Sequence, residues 1–141
     1  SLQEVLDILA GECARQFIAL EVTLSPRLRP VIADRVQVQQ VFLNLILNAV
    51  QAMSKHGGRG VLKITSRIDN AEACVEIEDN GPGVSTDQQA RIFDPFYTTK
   101  PEGLGLGLSL CRSIIEGHGG RLTLRNAQRN GAVFEATLPL A

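Results

Sequence analysis

The stretch "QQVFLNLILNAVQAM", Gln39 to Met53, carries two faces at helical spacing. Val38, Val41, Phe42, Leu45, Ala49, Ala52 and Met53 form an apolar stripe. Gln37, Gln40, Asn44, Asn48, Gln51 and Lys55 form a polar one, each a helical turn from the next. Asp34 with Gln37 three residues on reads as an N-cap, so the pattern predicts a helix from Asp34 to about Ser54, broken by "HGGRG". Within "FLNLILNA" only the two asparagines are polar. Asparagine is a mediocre helix former, so propensity does not account for two of them in one run. A solvated face would accommodate them. So would a helix wall lining a cleft, in which an amide oxygen ligates a hard cation such as Mg²⁺, an ion that keeps several waters and takes phosphate oxygens.

Outward from this helix the periodicity changes. Leu2, Val5, Leu6, Leu9, Cys13 and Phe17 predict an amphipathic helix over 2–18, followed by short strands at "EVTLS" and "PVIA" around a proline-rich turn. "GVLKITSRI" and "EACVEIED" alternate as paired strands, with "DNAE" as their turn. Ser85 and Gln88 form a capping-box pattern for a short helix through Phe93. A second helix is predicted from Gly107 to Glu116, ended by "GHGG", before the strands "RLTLRN" and "GAVFEATLPL". Helices on one face of a mostly antiparallel sheet, an α+β two-layer arrangement, is the economical architecture for this order.

Composition narrows the function. The chain has 141 residues, 44% of them hydrophobic, which suits one folded domain. A net charge of −1 argues against a nucleic-acid footprint, which needs a basic face. No apolar run approaches the roughly 20 residues of a transmembrane helix. Cys13, Cys74 and Cys111 lack metal spacing and read as buried free thiols of a reducing compartment. The chain opens directly on a helical pattern and is expected to be one domain of a longer protein.

Two glycine clusters carry the chemistry. "EIEDNGPGV" ends an apolar strand on Asp79, an acceptor-only carboxylate suited to the exocyclic amine of adenine. Gly81 and Gly83 permit a sharp turn and a close ligand. Taken alone, the same residues also read as a hairpin turn. "TTKPEGLGLGLSL", Thr98 to Leu110, fits neither a P-loop nor a dinucleotide fingerprint, because Leu108 stands where each requires another residue. What remains is a glycine-rich loop leading into a helix N-terminus, which favours an anion, with Lys100 near in sequence. "IFDPFYTTK" places Phe93, Phe96 and Tyr97 between the clusters as anchors for a hinged lid that would exclude water.

In this order the pieces resemble the catalytic ATP-binding domain of sensor histidine kinases, in the superfamily shared with DNA gyrase B, HSP90 and MutL. "QQVFLNLILNAVQAM" is similar to the family's asparagine box, "DNGPG" to its first glycine box, "IFDPFYTTK" to its phenylalanine box and "GLGLGL" to its second glycine box. The wording of the lid most resembles kinases of the nitrogen-regulation and oxygen-sensing type.

The resemblance implies a Bergerat-type sandwich: a mixed sheet of about five strands, three helices and an ATP lid. It implies ATP and Mg²⁺ as cofactors, with Asn48 as the metal ligand and Asn44 facing the phosphates one turn earlier. Asp79, Gly81 and Gly83 would form the adenine pocket. Lys100, Gly103, Leu104, Gly105, Leu106, Gly107 and Leu108 would meet the phosphates, with Asn44, Asn48 and Lys100 as the catalytic set. Many members carry a basic residue where this chain has Gln51, with Lys55 a weak substitute one turn on. ATPase relatives place a glutamate at position 44 as general base, and an amide cannot take that proton. The implied reaction is therefore transfer of the γ-phosphoryl to a histidine on a separate dimerisation domain of the same protein. An upstream sensor domain and a downstream response regulator are the other implied partners, in the cytoplasm, with any membrane tether supplied by the rest of the full-length protein. His56 and His118 lie in glycine turns and do not resemble the acceptor motif. The alternatives are a degenerate nucleotide-binding or protein-interaction module and a serine kinase or ATPase of the same superfamily.

Overall fold

The apolar stripe of the long helix lies where two layers meet. The structure, a computed structural model, describes residues 7, 10, 11, 18–23, 35–56, 60–95, 107–127 and 130–140. Their elements run β1 (Ile18–Thr23), α1 (Arg35–His56), β2 (Gly60–Asp69), β3 (Glu72–Glu78), α2 (Thr86–Arg91), α3 (Gly107–Gly117), β4 (Arg121–Asn126) and β5 (Ala132–Pro139). The strands form one sheet in the order β1-β2-β3-β5-β4. β1 runs parallel to β2, and the other three pairings are antiparallel. This is the mixed sheet with three helices that was expected. Asp34, the strand at "PVIA", Cys13, Phe96, Tyr97, Lys100, Gly103, Leu104, Gly105 and Leu106 lie outside the described residues.

Local patterning explains most of these elements. β2 alternates buried and open positions, with Gly60, Leu62, Ile64 and Ser66 inward, as a strand with one covered face must. Its hairpin to β3 turns through Asn70, whose φ of 55° is tolerated by asparagine better than by most residues. The capping box is present as read. Ser85 Oγ accepts from Gln88 N at 3.1 Å, and Gln88 Oε1 accepts from Ser85 N at 3.1 Å. Ser85→Ala should cost about 1 kcal/mol, seen as a lower urea midpoint at unchanged slope.

Three readings are corrected. Residues 7, 10 and 11 are helical, but Ile18 already belongs to β1, so the first strand starts before "EVTLS". Its pairing partner Gly60 is far away in sequence, so local spacing gave no sign of it. α1 continues to His56, which is therefore the last helical residue and not part of a turn. The core face of α1 is also wider than one stripe. Ile46 and Val50 are fully buried beside Val41, Phe42, Leu45, Ala49 and Met53. α3 packs along α1, with Cys111 and Ile115 buried in the same core. Each fully buried aliphatic side chain contributes about 1.5–3 kcal/mol.

α1 and α3 cover one face of the sheet. The other face is charged. Glu76 and Glu135 sit directly opposite in register, a repulsive arrangement. Arg67 contacts Glu76 at 3.4 Å and Glu135 at 3.2 Å, and Arg125 contacts Glu76 at 3.0 Å. These cations turn the repulsion into a ladder that keeps the open face solvated. Among the described residues no helix is long and apolar enough to cross a membrane.

Candidate functional site

Where β3 ends, the chain leaves the sheet under α1 and opens a cleft of about 220 Å³. Asn48, Ala49, Gln51 and Ala52 of α1 form one wall, and Pro82, Gly83 and Val84 form another. Ala132 and Phe134 come from β5 and Asp79 from the loop just after β3, with Gln88, Ile92 and Leu108 completing the lining.

Asp79 is the buried acid of this cleft, with 4% of its surface exposed. Its Oδ1 accepts the backbone N–H of Gly81 at 2.9 Å and that of Ala132 at 3.2 Å. Asp79 N donates to Ala132 O at 3.0 Å. Burial pushes the carboxyl above its ordinary range, and Glu78 adds to this, while the two N–H donors hold it back. Both bonds fall on Oδ1, so Oδ2 is the acceptor that Asp79 offers to the cleft.

The next residue fastens the loop to the sheet. Asn80 Oδ1 accepts Val61 N at 2.9 Å, beyond the last β2–β3 pair at Lys63 and Glu78. Gly83 has a φ of 79°, and a Cβ there would lie 3.0 Å from Asn126 Oδ1 and 3.3 Å from Gly131 O. A side chain at this position would meet both a steric and a torsional cost.

Of the aromatic residues read as lid anchors, Phe93 lies among the described residues, and it is packed on both sides. Phe93 packs edge-on against Phe134, with ring centroids 6.3 Å apart. The Arg112 guanidinium of α3 lies 4.5 Å from the Phe93 ring centroid. Phe93 thus links β5 to α3.

The structure brings Asn48, Asp79, Gly83 and Leu108 to one cleft. Gly81 reaches it through its N–H on Asp79. Gly107 begins α3, one residue before Leu108. Asn44 is not among the described residues that line this cleft, and its amide sits beside the Cys111 thiol. Burial raises that thiol to about 11, and the Asn44 amide opposes the shift. Gln51 does line the cleft and presents a neutral amide there. His118 follows α3 as a turn residue, its Nδ1–H donating to Ile114 O at 2.7 Å.

Sequence reasoning missed Gly131, Ala132 and Asn126. Ala132 acts through its main-chain N–H, which no side-chain pattern reveals. Gly131 did carry a signal, the "NG" turn before an alternating run. Among the described residues no group of three or more His, Cys, Asp and Glu side chains is placed to hold a metal.

Comparison with known proteins agrees with this geometry. The family described as "Histidine kinase-, DNA gyrase B-, and HSP90-like ATPase" matches residues 33–141. The C4-dicarboxylate transport sensor protein DctS of Rhodobacter capsulatus is 43% identical over 141 residues, covering 99% of this chain and 21% of its own length. The sensor protein FixL of Bradyrhizobium diazoefficiens is 41% identical over 133 residues, covering 94% of this chain and 26% of its own. The chain thus spans about a quarter of the length of these curated relatives. Among solved structures, the nucleotide-free catalytic domain of histidine kinase ThkA superposes with a TM-score of 0.87 at 36% identity, over 97% of this chain and 88% of that one. ThkA has also been solved in complex with the response regulator protein TrrA, with a TM-score of 0.82 at 33% identity, over 99% of this chain and 39% of that one. With its mixed five-stranded sheet, its buried Asp79 and this match over most of its length, the chain belongs to the histidine kinase-, DNA gyrase B- and HSP90-like ATPase family, as an ATP-binding domain of the sensor histidine kinase type.

Proposed function

We propose that the cleft between α1 and residues 79–84 binds ATP with Mg²⁺ and presents its γ-phosphoryl to a histidine on a separate dimerisation domain of the same sensor kinase. The observation that carries this reading is Asp79. It is a buried carboxylate with one oxygen held by two backbone N–H groups and the other offered to the cleft. An acceptor so placed suits the exocyclic amine of adenine.

The other residues follow from that placement. Asn48 supplies one amide oxygen in the α1 wall, and the lack of an acidic cluster among the described residues fits an ion held largely by phosphate oxygens and water. When bound, Mg²⁺ would neutralise charge across the phosphates. Gly107 and Leu108 open α3, whose N-terminal amides favour an anion, and Lys100, Gly103, Leu104, Gly105 and Leu106 would close over it from the lid. At position 44, where ATPase relatives would carry a glutamate as general base, this chain has an amide, which cannot take a proton. An imidazole acceptor is itself the nucleophile, so the domain works by positioning and charge neutralisation. The domain would act as one module of a longer kinase, with an upstream sensor domain and a response regulator downstream.

The test uses [γ-³²P]ATP and Mg²⁺ with the chain alone and with a separately made histidine-bearing dimerisation domain. Label is expected on that histidine and none on the chain by itself. Label on the chain alone, label on serine, or release of phosphate without a labelled acceptor would each overturn the reading.

A further inference from the structure

The cleft wall at residues 82–84 belongs to no strand. β3 ends at Glu78 and α2 begins at Thr86, and Asp79 and Asn80 tie only the start of the loop between them to the sheet. Val84, near its far end, is held by side chains, chiefly that of Asn126. Asn126, the last residue of β4, accepts Val84 N on its Oδ1 at 2.8 Å and donates from Nδ2 to Val84 O at 2.8 Å. The amide thus exchanges both main-chain bonds with a single residue, as a strand residue does in a hydrogen-bonded antiparallel pair. Gln89 Nε2 adds a bond to the same carbonyl at 3.1 Å. Asn126 itself does not line the cleft, whereas Pro82, Gly83 and Val84 do. Asp79 is secured separately, by Gly81 and Ala132.

We infer that Asn126 is a positioning residue, whose paired bonds to Val84 hold the 82–84 wall at the distance that lets it pack on the bound base. This rests on the nucleotide reading of the cleft. Loss of the pair frees the wall and leaves Asp79 in place. Adenosine and ADP should then lose affinity by the same factor, because the fault lies at the base, while the gain from the phosphates is unchanged.

The test measures adenosine and ADP·Mg²⁺ binding to the wild-type chain, Asn126→Ala and Asn126→Asp, well below their melting midpoints. Asn126→Asp keeps the shape but sets a carboxylate oxygen against Val84 O. If the hydrogen-bond pair is what matters, both variants should weaken both ligands by roughly tenfold. A wild type that binds neither ligand defeats the nucleotide reading itself. A wild type that binds both, with variants within twofold of it, defeats the inference alone. So does an Asp variant that matches wild type, since Asn126 would then only fill space. Weakening of ADP without weakening of adenosine would place the effect at the phosphates, and the inference would again be wrong.

Discussion

Asp79→Asn should abolish nucleotide-induced stabilisation while leaving the chain folded. For the wild type, ADP or a non-hydrolysable ATP analogue with Mg²⁺, at about 100 times its dissociation constant, should stabilise by roughly 2.7 kcal/mol. In a domain of this size that is a melting shift of roughly 5–10 °C. The variant is nearly isosteric, and its side-chain oxygen can still accept from Gly81 and Ala132. Its amino group then stands where Oδ2 stood, a donor facing the amine donor of adenine. Two opposed donors in a cleft should cost on the order of 100-fold in affinity. Melting curves of both proteins with and without ligand decide it, and an equal shift in the variant would remove Asp79 from the site.

The same substitution carries a pH signature. Burial is the main reason that the Asp79 carboxyl titrates above its ordinary 3.8 in the folded chain, with Glu78 adding and the Gly81 and Ala132 N–H groups opposing. A carboxyl that holds its proton more tightly when folded makes the folded state more stable as pH falls through the folded pKa. The gain levels off below the ordinary value. At neutral pH, therefore, ionised Asp79 costs stability. Without ligand, Asp79→Asn should be at least as stable as wild type at pH 7. That advantage should shrink as pH drops through this window, which urea unfolding at a series of pH values will show. Binding and stability pull in opposite directions at this residue.

Gly131→Ala should damage the fold and the site together. Gly131 has a φ of 100°, and a Cβ there would lie 1.8 Å from Asp79 O, 2.6 Å from Asp79 C and 2.9 Å from Asn80 Cα. All three are backbone atoms, so no side-chain rotation relieves the clash. The β5 strand or the 79–84 loop must move, and with it the Ala132 N–H that holds Asp79. Strain and lost packing together should cost about 3 kcal/mol or more, a fall in melting midpoint of roughly 10 °C. The nucleotide response should weaken in parallel. Gly117→Ala is the contrast, since a Cβ there meets open space, and it should change stability by less than about 1 kcal/mol. A Gly131→Ala variant that melted with the Gly117→Ala variant would show that the close approach is not what the fold needs from this glycine.

Much of the architecture was legible without coordinates because it is local. Period-two alternation marked β2 and β3, the Ser85–Gln88 pair marked the start of α2, and the break at "GHGG" marked the end of α3. Asp79 and Gly83 were legible too, since a carboxylate ending an apolar strand before a glycine turn is a short-range pattern. β1 was placed late because its edge is set by a parallel partner some forty residues away.

The two asparagines of α1 show the boundary most plainly. Sequence alone determined that Asn44 and Asn48 share one stripe of one helix, because helical period depends only on the chain itself. Which of them reaches the cleft was decided by tertiary packing. α3 lays Cys111 beside Asn44, while Asn48 lines the cleft with the loop that follows β3. The same holds for Asp79. Its identity and its turn were in the sequence, but the main-chain N–H of Ala132, brought across by the β3–β5 pairing, is what holds Oδ1 in place. Backbone groups are the same at every residue, so only the fold can say which of them will meet.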